Sequence, residues 1–199
     1  MKFKVRVPAT TANFGSGFDC VGSALKLYNE IEVEHLINKN KKLKIEIEGE
    51  GEKELPRNEK NILWQAMQKV FNILRFKPQC SFKIKMINRI PLARGLGSSG
   101  AAIISGLVIA NKFCGDKLTE KEILNIAIKL EGHPDNVVPA ILGGFCVVVK
   151  TENNEIEYLK FDMPESLKAV LCIPEFNVST EYARKILPSR IPYSDAVFN

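Results

Sequence analysis

Four segments of the chain alternate apolar and polar side chains, the pattern of strands that are buried on one face. They are residues 2–7, 29–34, 43–47 and 82–87, and we expect Pro8 to end the first strand. Apolar composition predicts three further strands: residues 144–149, which we expect to be buried on both faces, residues 158–161, and residues 168–173. Of the last two, residues 168–173 have the stronger strand pattern.

Four other segments carry helical signals. Residues 61–74 place apolar side chains at helical spacing, and residues 101–113 are apolar on nearly all sides, which predicts a buried helix. Thr119 and Glu122 form a capping-box pattern that opens a helix to about Leu130, and residues 180–187 precede a proline that would stop a short helix. Strands and helices mix without strict alternation, which favours an α+β fold.

One segment concentrates glycine and serine directly before the apolar helix. It contains Pro91, Leu92, Ala93, Arg94, Gly95, Leu96, Gly97, Ser98, Ser99, Gly100 and Ala101. A glycine-rich loop that opens a helix leaves backbone N–H groups free at the positive end of the helix dipole. Such a loop is a binding site for an anion, most often phosphate.

Two other interpretations of this loop are open. Its glycines also fit the dinucleotide fingerprint, but that fingerprint needs a strand that runs straight into the first glycine, and here residues 88–94 intervene. A helix start without any ligand is the second alternative, although two adjacent serines are more than one helix cap needs. A Walker loop fits less well, because no Gly-Lys-Ser/Thr follows the glycines.

Composition narrows the function classes. The chain has 199 residues, of which 45% are hydrophobic and 26% charged, with a net charge of +5. Its lysines are interspersed with glutamates rather than gathered into a basic stripe, so we expect no nucleic-acid partner. Five widely spaced cysteines predict buried thiols in a reducing compartment rather than disulfides or a zinc site. No leader or membrane-spanning run is apparent, and we therefore expect a cytoplasmic protein with no membrane partner.

Three further segments bring small and polar side chains together. They are residues 8–19 (Pro-Ala-Thr-Thr-Ala-Asn-Phe-Gly-Ser-Gly-Phe-Asp), residues 131–140 (Glu-Gly-His-Pro-Asp-Asn-Val-Val-Pro-Ala) and residues 179–184 (Ser-Thr-Glu-Tyr-Ala-Arg). With residues 91–101, whose Pro-x-x-x-Gly-Leu-Gly-Ser-Ser-x-Ala pattern is that family's ATP signature, they resemble the GHMP small-molecule kinases. Within the family, residues 8–19 and 131–140 are more similar to the branch that phosphorylates homoserine than to the mevalonate or galactose branches.

The resemblance implies a nucleotide site. ATP would bind residues 91–101, with Asn61 at the adenine ring, and Ser99 and Glu131 would hold Mg²⁺. One hydroxyl and one carboxylate suit an ion that prefers oxygen ligands and keeps several waters. Asn61 could instead be only a helix cap, and Glu131 only a solvated residue at a helix end.

The resemblance also implies a site for L-homoserine, whose hydroxyl would receive the phosphate on the way to threonine. Asp19 would pair with the substrate ammonium, Arg184 would grip its carboxylate, and the amides would contact its polar ends; the substrate-binding residues are then Asn13, Asp19, Asn136 and Arg184. The catalytic candidates are Asp135, Asn136 and Thr180. Asp135 is the nearest candidate base, although it could be structural, Thr180 could be a plain helix cap, and we expect His133 to be a hydrogen-bonding turn residue.

The family fold implies two domains. Residues 1–163 would be the N-terminal ATP-binding domain, a mixed sheet with helices on one side, and residues 164–199 would begin a ferredoxin-like C-terminal domain. The polar residues 152–157 are an alternative boundary. Because members of the family continue beyond this point, we expect the chain to be a piece of a longer protein. A mevalonate-type kinase and an inactive nucleotide-binding fragment are the alternative functions, and a homodimer is one open oligomeric state.

Overall fold

The computed structural model describes residues 2–36, 43–153, 155–176 and 180–198. Within these ranges six strands form one sheet: β1 (Lys2–Ala12), β2 (Val21–Leu36), β3 (Leu43–Gly49), β4 (Ser81–Asn88), β5 (Phe145–Lys150) and β6 (Ile156–Phe161). The helices in the same ranges are α1 (Ile62–Ile73), α2 (Ser98–Phe113), α3 (Glu120–Glu131), α4 (Val137–Leu142), α5 (Thr180–Lys185) and α6 (Tyr193–Phe198). None of the helices described is both long enough and apolar enough to cross a bilayer.

The long strand β2 organises the sheet. Strand β1 pairs antiparallel along one edge of β2, while β4 and β5 pair antiparallel with its C-terminal and N-terminal parts. Strand β3 joins β4 in parallel and β6 joins β5 antiparallel, which gives the order β3-β4-β2-β5-β6. The sheet is therefore mixed, and the predicted α+β class is confirmed.

The two faces of the sheet differ in chemistry. Alternate residues of β1 to β4, such as Ile31, Val33 and Ile84, are at most 1% exposed and join the core with α1 and α2. The other face carries ion pairs, among them Lys4 with Glu30 at 3.2 Å. The period-two pattern along the strands thus places the helices on one side of the sheet, as predicted.

Several sequence predictions of strands are wrong in detail. Pro8 does not end β1, because the strand passes it with a register shift between Pro8 and Thr10 and continues to Ala12. Strand β5 is buried on one face only, since Val149 is 54% exposed. Residues 168–173 form no strand and are exposed, and Glu152 and Asn153 lie in a turn after β5.

All four predicted helices are present, and each ends within two residues of the expected position. Three also begin at or next to the expected residue, whereas the fourth begins three residues earlier. Helix α2 starts at Ser98 rather than at residue 101, so both serines of the glycine-rich loop belong to its first turn. Thr119 and Glu122 form the predicted capping box of α3. Helices α4 and α6 were not predicted, because six residues are too few to show a helical period.

All five cysteines are free thiols. Cys114 and Cys146 are buried, and burial raises the pKa of both thiols. Cys20 and Cys80 are half-buried, and Cys172 is exposed, which contradicts the expectation that all five lie in the core.

The α1–α2 contact depends on a glycine. Helix α1 passes so close to Gly106 of α2 that a β-carbon there would lie 2.2 Å from the carbonyl oxygen of Leu63 and 2.9 Å from the β-carbon of Ala66. The helices can approach this closely only because Gly106 has no side chain.

We expect Gly106→Ala to destabilise the fold by ~1–3 kcal/mol through overpacking. Helix propensity alone would make alanine better than glycine by ~1 kcal/mol, so the two effects have opposite signs. Urea unfolding measures the difference, with the exposed Lys69→Ala of α1 as a control that should stay within ~0.5 kcal/mol. A more stable Gly106→Ala variant would contradict the close helix contact.

Candidate functional site

In the glycine-rich loop, every second residue from Ala93 to Gly97 has a left-handed backbone conformation. Ala93, Gly95 and Gly97 have φ values of 54°, 69° and 68°. Turns of this kind orient successive N–H groups into a concave anion site, called a nest. Gly97 is also the N-cap of α2 and supplies no side-chain cap, so the first N–H groups of the helix have no intrahelical acceptor. The loop therefore meets the geometric requirements of the predicted phosphate site.

Thr10, near the C-terminal end of β1, forms hydrogen bonds that hold the glycine-rich loop in place. Its backbone N–H donates to the carbonyl oxygen of Leu96 at 3.1 Å, and its hydroxyl donates to Oδ1 of Asn136 at 2.7 Å. A β-carbon on Gly97 would lie 2.1 Å from the Thr10 hydroxyl, whereas a β-carbon on Gly95 would meet nothing within 4 Å. Gly97 therefore faces the protein and Gly95 faces open space.

Alanine substitutions at Gly95 and Gly97 would distinguish the open side of the loop from the side that packs against the protein. Both residues have nearly equal positive φ, so both variants should lose ~1–2 kcal/mol of stability through backbone strain. Gly97→Ala should lose ~1–3 kcal/mol more, because its methyl group collides with Thr10. Gly95→Ala places its methyl group in the open space and should weaken the binding of MgATP with little further loss of stability.

Urea unfolding and calorimetric titration with MgATP measure these effects, and Gly95→Ala is the matched control for the stability of Gly97→Ala. Equal stabilities of the two variants would contradict the described contact with Thr10.

Ser99 and Glu131 meet beside the loop, although 32 positions separate them in the chain. The hydroxyl of Ser99, in the first turn of α2, donates to Oε2 of Glu131 at 2.9 Å. Glu131 is the last residue of α3, and Gly132 with φ 95° ends that helix. Glu131 is thus more than a solvated helix end, and two oxygen ligands of the kind that Mg²⁺ prefers converge next to the phosphate loop.

Residues 133–136 form a compact polar cluster. Nδ1 of His133 lies 2.6 Å from Oδ1 of Asp135, and the same oxygen accepts the N–H of Asn136 at 3.0 Å. Asp135 is 1% exposed, and its Oδ2 has no hydrogen-bond partner among the described residues. Gly22 of β2 makes room for this segment, since a β-carbon there would lie 1.8 Å from the carbonyl oxygen of Asp135.

The Asp135 carboxylate favours protonated His133. Its hydrogen bond is the main cause that raises the pKa of His133 above the ordinary value, and the charges of Asp135 and Glu131 act in the same direction. Burial and the charge of Arg184 oppose the shift. The turn role expected for His133 is consistent with this contact.

The raised pKa of His133 predicts a pH dependence of stability. Protonated His133 stabilises the fold fully below the unfolded pKa of ~6.5, and this contribution is lost as pH rises through the higher folded pKa. Urea unfolding at about pH 6 and about pH 9 should therefore show a larger advantage of the unmodified chain over His133→Gln at the lower pH. An advantage that is the same at both pH values would contradict the His133–Asp135 interaction.

Asp19 and Arg184 are the two charged residues predicted to bind the substrate that accepts the phosphate, a region called the acceptor site below. They pair with each other. Arg184 Nη1 lies 2.8 Å from Asp19 Oδ2, and Nη2 donates to Oδ1, which makes the contact bidentate. The hydrogen bond with Asp19 raises the pKa of Arg184. Asn13 supports Asp19 by accepting its N–H at 2.8 Å, and Phe18 lies under the Arg184 guanidinium at 5.2 Å.

The acceptor residues adjoin the polar cluster. Ligand atoms of Asp19, His133 and Asp135 all lie within 4.8 Å of one another. The structure thus brings together the predicted residues Asn13, Asp19, Asp135, Asn136 and Arg184 from three separate segments. Thr10 and Phe18 were not singled out from the sequence, although both lie in the segment of residues 8–19.

One predicted residue, Asn61, stands apart from this arrangement. Asn61 is 2% exposed, and its Oδ1 caps α1 by accepting the N–H of Leu63 while Nδ2 donates to the carbonyl oxygen of Pro56 at 2.8 Å. The capping alternative is confirmed, and an adenine contact stays a prediction that would require these bonds to be exchanged. The Thr180 side chain lies outside the described part of the chain.

Comparison with known proteins shows which proteins this chain resembles. Residues 61–144 match the family model described as the GHMP kinases N terminal domain. Residues 61–144 are thus similar to the N-terminal domain of the GHMP kinases, and the resemblance found in the sequence is confirmed over these residues.

The similar proteins include homoserine kinases and a mevalonate kinase. The chain is 49% identical to homoserine kinase of Caldicellulosiruptor saccharolyticus over 98% of its own length and 61% of the relative. The crystal structure of homoserine kinase from Cytophaga hutchinsonii superimposes with a TM-score of 0.77 at 29% identity, covering 98% of this chain and 63% of that one. Methanococcus jannaschii mevalonate kinase shares the fold, with a TM-score of 0.63 at 16% identity over 82% of this chain and 56% of that one. The chain spans about three fifths of the curated relatives it matches.

Proposed function

We propose that this chain supplies the nucleotide and acceptor sites of an ATP-dependent kinase that phosphorylates the hydroxyl of L-homoserine. The supporting observation is that Thr10 and Asn136 hold a phosphate-type loop beside a pair of opposite charges, Asp19 and Arg184. The 49% identity to a homoserine kinase agrees with this choice of acceptor. Free thiols at all five cysteines support a cytoplasmic location as part of the proposal.

The nucleotide half of the proposal rests on electrostatics. Phosphoryl transfer spreads negative charge over the phosphate oxygens, so a kinase acts mainly by positioning and charge stabilisation. The N–H groups of residues 95–100 and the dipole of α2 would supply these donors without a lysine in the loop. Ser99 and Glu131 would hold Mg²⁺, which neutralises phosphate charge when bound.

The assignment of the acceptor site rests on the exchange of ion-pair partners. L-Homoserine carries an ammonium and a carboxylate, and Asp19 and Arg184 carry the complementary charges. In the absence of substrate these side chains neutralise each other, and a zwitterion that enters between them leaves each charge with an opposite partner. Mevalonate has no ammonium for Asp19, which favours an amino-acid acceptor.

The hydroxyl would lie between Asn136 and Asp135. Because Oδ1 of Asn136 accepts from Thr10, the amide Nδ2 is the group left to donate to a ligand. Oδ1 of Asp135 contacts His133 Nδ1 and accepts the N–H of Asn136, whereas its buried Oδ2 has no hydrogen-bond partner among the described residues and could accept the hydroxyl proton once the substrate reaches it. Thr180 stays a prediction as a further catalytic residue.

Turnover of MgATP with L-homoserine, mevalonate and galactose tests the proposal directly. We expect phosphate transfer to L-homoserine in preference to both others. Transfer to mevalonate would instead support the mevalonate-type alternative. Calorimetry that shows MgATP binding without turnover of any acceptor would support a nucleotide-binding fragment and contradict the kinase proposal for this chain.

Asp19→Asn tests the acceptor site, because it keeps the shape of the side chain and removes its charge. L-Homoserine should bind at least about tenfold more weakly, the effect of losing one charge-assisted hydrogen bond, while MgATP affinity stays unchanged. Asp116→Asn is a matched control, since Asp116 also has positive φ and also pairs with a cation, Lys112 at 2.6 Å, outside the site. Equal L-homoserine affinity in both variants would contradict the assignment of Asp19.

A further inference from the structure

Arg94 lies in the phosphate loop, yet its guanidinium is bound to the protein. Nη1 donates to the carbonyl oxygen of Pro174 at 2.6 Å, and Nη2 donates to the carbonyl oxygen of Glu175 at 2.9 Å. One planar guanidinium therefore holds two consecutive carbonyl groups, a contact that an ammonium cannot reproduce with the same geometry. These two bonds occupy two of the five N–H groups of the guanidinium and direct it toward residues 174 and 175.

The segment that Arg94 holds leads to the acceptor site. Residues 164–176 are exposed throughout and form neither strand nor helix, and the chain then continues to α5, which carries Arg184. Arg184 crosses to Asp19 and Phe18. Two arginine contacts thus join this part of the chain to the body, one at the phosphate loop and one at the acceptor residues.

We propose that Arg94 is a positioning residue that couples the phosphate loop to the acceptor site. By holding Pro174 and Glu175 it fixes the starting point from which α5 brings Arg184 to Asp19. It acts through Arg184 and touches neither ligand. The proposal rests on the proposed function only in the choice of L-homoserine as the ligand that reports the coupling.

This role predicts an unusual effect for a loop residue. Arg94→Ala should weaken L-homoserine binding by about tenfold, because a frayed α5 no longer presents Arg184 in place. Binding of MgATP should weaken less than binding of L-homoserine does, since the backbone donors of the loop remain. Arg94→Lys should recover part of the L-homoserine affinity, because its ammonium can still donate to one carbonyl group.

Three measurements on the full chain and its variants test the proposal. Calorimetry gives the affinities for MgATP and for L-homoserine, and amide hydrogen exchange follows the backbone of residues 182–187. We expect faster exchange there in Arg94→Ala than in the unmodified chain. Arg89→Ala is the matched control, because Arg89 is a nearby arginine that binds the carbonyl oxygen of Tyr28 and the Glu30 carboxylate instead.

Each outcome decides the matter. Weaker MgATP binding with unchanged L-homoserine binding would make Arg94 a nucleotide ligand and overturn the proposal. Unchanged affinities and unchanged exchange would overturn it as well. If the unmodified chain binds no L-homoserine, the proposed function fails, and exchange at residues 182–187 alone then decides whether Arg94 positions α5.

Discussion

The hydrogen bond between the Thr10 hydroxyl and Asn136 is the contact on which the site depends. It joins the end of β1 to the turn before α4, and the phosphate loop is packed against the same hydroxyl through Gly97. The Thr10 side chain is 1% exposed, so an unpaired hydroxyl or amide oxygen here would carry a desolvation penalty of ~1–3 kcal/mol. This cost disfavours every arrangement in which the glycine-rich loop and Asn136 move apart, and it keeps the loop next to the polar cluster of residues 133–136.

Charge balance is the second constraint on the site. Asp19, Asp135 and Glu131 bring three carboxylates close to the loop, and Arg184 and His133 compensate two of them through direct contacts. Glu131 meets only a hydroxyl among the contacts of its side chain described here, which leaves its charge available for a cation. The cluster is therefore arranged so that Mg²⁺ would face the Glu131 carboxylate, and a zwitterion would enter between the opposite charges of Asp19 and Arg184.

Sequence reasoning succeeded where the determining interactions are local. The capping box of Thr119 and Glu122, the Asn61 cap and the alternation in β3 and β4 each depend on a few neighbouring residues. It failed where distant partners decide. The first part of β2 is a strand because β1 and β5 flank it, and residues 168–173 have a strand composition but no described strand beside them to accept their hydrogen bonds. The motifs predicted several residues that the structure brings together, but not that Asp19 and Arg184 pair or that Thr10 joins the loop to Asn136.

Residues with a strained backbone occur both at helix ends and in the candidate site. Five non-glycine residues have positive φ among those described, and Arg75 and Asp116 follow the ends of helices, where such a conformation is common. The other three, Asn13, Asp19 and Ala93, lie in two segments of the candidate site, residues 8–19 and the glycine-rich loop. Strained residues of this kind cost ~1–3 kcal/mol each and persist only where surrounding contacts hold them. The Asn13–Asp19 hydrogen bond and the Thr10 contact to the loop provide this support, so the rigid β1–β2 pair stabilises conformations that a free loop would leave.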